Sequence, residues 1–508
     1  MAIDPFIPGS NSARDNGALF VKMRAQLEDL QRQIGTGKKA ESYADLGQDR
    51  RTSLDTRSKM STIDGWNKAI EQGDLRIKFM MQSIEGFAKN ASDSKGFARS
   101  GTYSLNSNGQ VSGQVLATDR LSQSIDMLNV DVGGRYLFSG RSHDVKPVEA
   151  FSVIMKEIGS SGPAGVKTLI SERQQADAGV GNLGRLTNTL AGATITVARE
   201  ASDPPYGYTI ASTSSTSANI TAALTAGPPA SAGFTVATNP NAGDKITLTL
   251  NLPDSTSVDI TLEARPASAP GAAETGFVIG ATATATAANL QASISAALQK
   301  QTTTSLGVAS AMVATRDFFN GSSTNPPLRV PGPSFATATA PPAAGAAGST
   351  VIWYKGDDNA AIQARNTSNV QVDESQTVAS GARANEQAFR EGLTSLVVFA
   401  TTSFSVSDPN SSARYEAMAD RVGTGLSFNN VQSPSNIAVE ISAAQSAMKS
   451  ATERHKISTN FLESARASVE DPNDSEVAAA LLSMQTRMQA SYQTTSILSK
   501  LSLTDYLR

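Results

Sequence analysis

The stretch Ile63-Asp-Gly-Trp66-Asn-Lys-Ala-Ile70-Glu-Gln-Gly73-Asp-Leu-Arg-Ile77-Lys-Phe-Met80-Met-Gln-Ser-Ile84-Glu-Gly-Phe87 places Ile63, Trp66, Ile70, Ile77, Met80, Ile84 and Phe87 at alternating steps of three and four. Steps averaging about 3.5 residues hold one narrow apolar stripe against a partner helix along its length, so the stretch reads as a coiled-coil seam. Gly73 stands in the stripe. It costs about 1 kcal/mol of helix propensity relative to Ala, which points to close helix approach there. A helix before it carries Leu19, Met23, Leu27, Leu30 and Ile34 and stops at Gly35-Thr-Gly37. A helix after it, from Val111 to Val132, puts Thr118, Leu121, Ile125, Leu128 and Val132 on one stripe before Gly133-Gly134.

The other end of the chain repeats the pattern. Ile441, Ala444, Met448, Ala451, His455, Ser458, Leu462, Ala465 and Val469 follow the same alternating steps. Asp471-Pro-Asn-Asp-Ser475 breaks that helix and offers Asp474 or Ser475 as an N-cap. A last helix then turns Val477, Leu481, Met484, Met488, Thr495 and Leu498 inward. Narrow stripes of this length need a partner, so the two ends are expected to pair as one antiparallel helical bundle with the middle of the chain inserted between them.

Charge separates ends from middle. Residues 11–100 hold 28 charged side chains, whereas the longer span 201–350 holds 12. The middle of the chain alternates apolar with polar or β-branched residues at Thr194–Val197, Tyr206–Ile210, Ile246–Leu252, Val258–Leu262 and Val351–Tyr354, which reads as strands. Pro253-Asp-Ser255 makes a hairpin loop, residues 287–298 and 385–400 read as helices, and the Pro-, Ala- and Gly-rich span 325–349 as linker. The fold class is α+β: an elongated antiparallel coiled-coil or helical bundle of both termini around a β-rich insert. The expected domains are residues 1–140, an N-terminal helical arm; 141–380, an outer region of one or two subdomains; and 381–508, a C-terminal helical arm.

Composition closes off several classes of function. Among 508 residues there is no cysteine, which removes disulfides, thiolate nucleophiles and Cys-based metal sites. A net charge of −3 favours neither nucleic acid nor an anionic membrane as partner. No apolar run is long enough to span a bilayer, and residues 1–10 lack the pattern of a cleaved secretory signal. Two histidines, His143 and His455, leave little for acid-base catalysis. His455 sits beside Arg454 and Lys456 as a partly exposed helix residue, and His143 with Asp144 reads as loop. Asp357-Asp358 is expected in a tight turn rather than on a cation. No catalytic residue, cofactor or metal site is expected.

Certain motifs resemble a known family. Gly134-Arg-Tyr136-Leu-Phe138-Ser-Gly140, where a long helix gives way to the middle, is similar to the Gly-x-Tyr-Ile/Leu-Phe-x-Gly signature of the hook-associated protein 3 family, the hook-filament junction branch of the bacterial flagellin superfamily. Trp353-Tyr-Lys-Gly-Asp-Asp358 is similar to that family's Gly-Asp-Asp element. Ala465–Glu476, Leu482–Ser491 and the ending Leu498-Ser-Lys-Leu501-Ser-Leu503-Thr-Asp-Tyr506-Leu507 look like the family's C-terminus. The resemblance covers about 140 residues at the N-terminus and about 75 at the C-terminus, and leaves 145–350 essentially unmatched. It implies a structural subunit of the extracellular flagellum, exported through the flagellar type III apparatus without a cleaved signal peptide. Its implied partners are copies of itself in a ring, the hook-side hook-associated protein, flagellin, and an export chaperone at the last helix. A filament-forming flagellin, and a surface adhesin whose β-rich middle binds a ligand, stay open as alternatives.

Overall fold

The protein, described by a computed structural model, mixes helix and sheet. Residues 8–505 are described except 101–102, 107–108 and 269–275, and side chains within 17–497. The chain groups into two compact units: residues 1–72, 371–378 and 446–508, and residues 73–370 with 379–445. Two long helices, α2 (Arg50–Ser100) and α10 (Pro434–Glu470), contribute to both.

In the first unit, α1 (Pro8–Thr36) packs along α11 (Asp474–Asp505). Phe20 stacks on Tyr492 with ring centroids 5.2 Å apart. The first part of α2 faces the last part of α10. There Ile63, Ile70, Met448 and Ala451 are buried, and Trp66 stacks on His455 at 5.6 Å.

The second unit continues the stripe of α2. Ile77, Met80, Ile84 and Phe87 are all buried, as are Leu121, Ile125 and Leu128 of α3 (Ser112–Leu128). This helix ends four residues short of the expected Val132. Asn129 uses its side-chain oxygen to accept the Val148 N–H, 2.9 Å away, instead of continuing the turn, and Val132 joins the short hairpin of β1 (Asp131–Val132) and β2 (Arg135–Tyr136). After α4 (Phe151–Ile154) and α5 (Val166–Ala178), a β-rich lobe follows.

One sheet of the lobe has the order β3-β4-β7-β6, from β3 (Leu186–Ala191), β4 (Thr194–Arg199), β7 (Ser231–Val236) and β6 (Ile220–Thr225), all antiparallel. The other has the order β10-β9-β8-β5, from β10 (Gly276–Val278), β9 (Ser257–Arg265), β8 (Lys245–Asn251) and β5 (Thr209–Ser215), with β9 and β10 parallel. Strict alternation turns Ile195 and Val197 of β4 and Ile246, Leu248 and Leu250 of β8 inward, onto one core shared with Leu290, Ile294 and Leu298 of α6 (Ala283–Gln301). Fully burying each such side chain is worth about 1.5–3 kcal/mol. The Thr282 hydroxyl caps α6 by accepting the Ala285 N–H.

A π-helical turn, Thr302–Leu306, leads from α6 into α7 (Gly307–Asn320), which packs beside α5. Two expected strands are shorter than their patterns. Tyr206 and Tyr208 are buried ahead of β5, and Val351–Tyr354 makes only a bridge from Tyr354 to Val148. The short β11 (Leu328–Arg329) and β12 (Ala343–Ala344) punctuate the expected linker. The unit closes with α8 (Gln387–Thr401) and α9 (Ser411–Gly425).

Candidate functional site

The two internal stretches that carry the resemblance fold against each other in the second unit. Gly133 and Gly134, with φ of 62° and 77°, form the two-residue loop between β1 and β2, a conformation that L side chains rarely adopt. The chain then runs beside residues 382–384. The Ala384 N–H donates to the Phe138 carbonyl at 2.8 Å, and the Gly140 N–H donates to Ala382 at 3.2 Å. The Asp357 N–H crosses to the Ser139 carbonyl at 2.9 Å. Tyr136, by contrast, is half-buried and donates its N–H to His143.

Glycine makes this approach possible. Gly140 has φ of 65°, and a Cβ there would stand 3.0 Å from Asp357 Cβ and 3.2 Å from Arg383 Nε. At Gly356 a Cβ would lie 2.8 Å from the Ser139 carbonyl oxygen. Neither position has room for a larger residue without moving its neighbours.

Asp357 is the electrostatic centre of the contact. Arg141 donates to its carboxylate through Nε at 2.8 Å and Nη2 at 3.3 Å, and Arg383 through Nη2 at 3.1 Å. These bonds, Arg141's first, together with the Asn359 N–H, hold the carboxyl well below the usual carboxylate range against the opposing effect of burial. A carboxylate so engaged has little left for a cation. Among the described residues no group of three or more His, Asp or Glu could hold a metal ion. Its neighbour Asp358 accepts a hydrogen bond from Ser323 at 3.2 Å.

Beneath this polar layer the contact is aromatic. Phe138 meets Phe389 edge to face at 5.7 Å, and Phe389 meets Phe87 the same way at 5.1 Å. The motif is thereby tied to the apolar stripe of α2. Trp353 is fully buried and donates its indole N–H to the Phe319 carbonyl at 2.9 Å.

Among the expected helix-pairing residues, Leu462, Leu481, Met484 and Met488 are half-buried in the first unit. The side chains of Leu498, Leu501 and Leu503, and all of Tyr506 and Leu507, lie outside the described residues. His455 is buried instead of partly exposed, because its place in the seam turns it inward under Trp66. Its Nδ1 lies 2.7 Å from Asn67 Oδ1. His143 is half-buried in its loop. Burial, then the positive charges of Arg135 and Arg76, push its imidazole pKa down.

One polar cluster escaped sequence reading. Glu470 accepts from Arg57 and from the Ser53 hydroxyl at 2.6 Å, while the Glu470 carbonyl accepts the Lys39 N–H at 2.8 Å. Nothing in the sequence marks it beyond Glu470 standing just after Val469, the last residue of the stripe. No family model matches the chain, and no curated protein matches it.

Proposed function

We propose that this chain is a structural subunit of the bacterial flagellum, assembling with copies of itself as a ring at the hook-filament junction, between the hook-side hook-associated protein and flagellin. The observation that carries this reading is the close fit of the two resembling stretches. Gly134–Gly140 and Trp353–Asp358 depend on each other through Gly140, Gly356 and the Arg141–Asp357–Arg383 bridge. The two motifs therefore meet in one built element.

The first unit supports an assembly role. Its helices leave Val21, Ile457, Phe461 and Leu482 each more than three-fifths exposed. Ile457 and Phe461 border a groove of about 710 Å3 that Ile63, Trp66 and Leu462 also line. Exposed apolar side chains gathered beside a groove are the kind of surface that an interaction site presents. The reading takes both chain ends as the two strands of an antiparallel coiled-coil rod, with an export chaperone holding the last helix before the subunit is exported extracellularly. It assigns no catalytic residue, cofactor, nucleic acid or membrane insertion.

The test is to label the protein on motile cells and to remove residues 498–508. A few copies at one position per flagellum, lost with filament attachment in the truncated form, are expected. Label along the whole filament would instead make the chain a flagellin. Lost adhesion with normal motility on deleting residues 150–350 would make it an adhesin.

A further inference from the structure

A cavity of about 570 Å3 opens in the second unit between the turn joining β8 to β9, the π-helical turn Thr302–Leu306, and α9. Its volume is that of a small-molecule site. Three separate irregularities converge on it. The π turn interrupts what would otherwise be one continuous helix from α6 to α7, and Thr304 and Ser305 of that turn line the cavity. Such turns are tolerated at a cost and recur at functional sites. Next to it, Gln301 also lines the cavity, and its side-chain oxygen is sealed from solvent with no hydrogen-bond partner. A buried acceptor without a donor is costly unless a ligand or water supplies one.

The third irregularity is charge. Glu416 and Asp420 stand one turn apart on the wall formed by α9, and among the described residues neither has an ion-pair or hydrogen-bond partner. The cations that could answer them are engaged elsewhere. Arg421 is held by Asp254 at 2.7 Å and the Thr256 hydroxyl at 2.9 Å, and Arg316 leans to Glu391 at 3.5 Å. The Lys300 ammonium, across from them, has no hydrogen-bond or ion-pair partner among the described residues. The uncommitted groups are thus two carboxylates, one ammonium and one buried carbonyl oxygen.

The complement of that set is a ligand with two cationic groups and one carboxylate. We propose that this cavity binds a basic amino acid, free or closing a short peptide whose terminal amine supplies the second cation. Its cationic groups meet Glu416 and Asp420, and its carboxylate meets Lys300. No aromatic ring lines the cavity, which disfavours a stacked sugar or base. The inference is independent of the flagellar reading.

The experiment is calorimetric titration of the full chain with L-arginine, its neutral isostere L-citrulline, the tripeptide Gly-Gly-L-arginine, and agmatine, which lacks the carboxylate. Saturable binding of arginine or of the tripeptide is expected, the stronger of the two naming the source, with citrulline weaker by about tenfold or more. Glu416→Gln with Asp420→Asn lies on an exposed helix face and should leave the melting temperature in place while weakening arginine by about tenfold or more. Lys300→Gln should weaken arginine and leave agmatine unchanged. Equal affinity for arginine and citrulline, unchanged binding by the Glu416/Asp420 variant, or no saturable binding by about 10 mM overturns the assignment.

Discussion

Arg57 and Glu470, 413 residues apart in the chain, form a two-pronged ion pair, Nε to Oε1 at 2.8 Å and Nη2 to Oε2 at 2.6 Å. It fastens the beginning of α2 to the end of α10 within the first unit. The pair is bidentate and its carboxylate is buried, so it is stronger than the usual surface bridge.

Glu470→Gln should therefore destabilise the first unit by about 1–3 kcal/mol, since it leaves the Arg57 guanidinium and the Ser53 hydroxyl with a weaker acceptor. The pH dependence has a definite sign. Hydrogen bonding to Arg57 lowers the folded carboxyl from 4.5 to about 2. Its contribution is complete above the unfolded value and is lost as pH falls from about 4.5 to about 2. Denaturant melts of wild type and Glu470→Gln across that window should converge at the acid end.

Asp357→Asn should cost more, about 3–5 kcal/mol, because Arg383 is only 6% exposed and would keep a buried charge without its carboxylate. Since its folded pKa lies below the unfolded one, the wild-type advantage should be complete above the ordinary carboxylate range and be lost progressively as pH falls through that range into stronger acid. Chemical denaturation of the second unit, followed by near-ultraviolet signal from Trp353, measures it.

Gly392 faces the ring of Phe87 so closely that a Cβ would lie 2.7 Å from two of its carbons. Gly392→Ala should destabilise by about 1–3 kcal/mol through overpacking, more than offsetting the gain in helix propensity. Pairing it with Phe87→Leu should recover part of the loss, and a double-mutant cycle on melting free energies reads the coupling.

Ile77 is fully buried in the stripe of α2. Ile77→Asp should cost several kcal/mol, enough to melt the surrounding helices at ordinary temperature, whereas the same change at the exposed Leu75 should cost less than about 1 kcal/mol. Circular dichroism of the two variants separates the seam from its outer face.

The stripe was legible because its period is strong and its polar face is wet. The same holds for β8 and β9, whose alternation and Pro253–Ser255 turn predicted both strands and their hairpin. Other elements hid for physical reasons. Helix α7 buries Val308 through Met312 almost without interruption, so no period marks it, and α5 buries Glu172, Arg173 and Asp177 in ion pairs that a polarity pattern reads as surface. Neither the Arg141–Asp357–Arg383 bridge nor the cavity beside the π turn has a local signature, since each gathers residues from distant parts of the chain. His455 misled because its charged neighbours Arg454 and Lys456 point away from the seam that it enters.

Helices α5 and α7 lie side by side, and the chain leaves the first to build both sheets and returns through the second. Entry and exit of the lobe are therefore neighbours, and closing a longer or shorter excursion between them changes the entropic cost only logarithmically. The span from 186 to 306 is built as a cassette: a change in its length would leave the helices that hold it the same foothold.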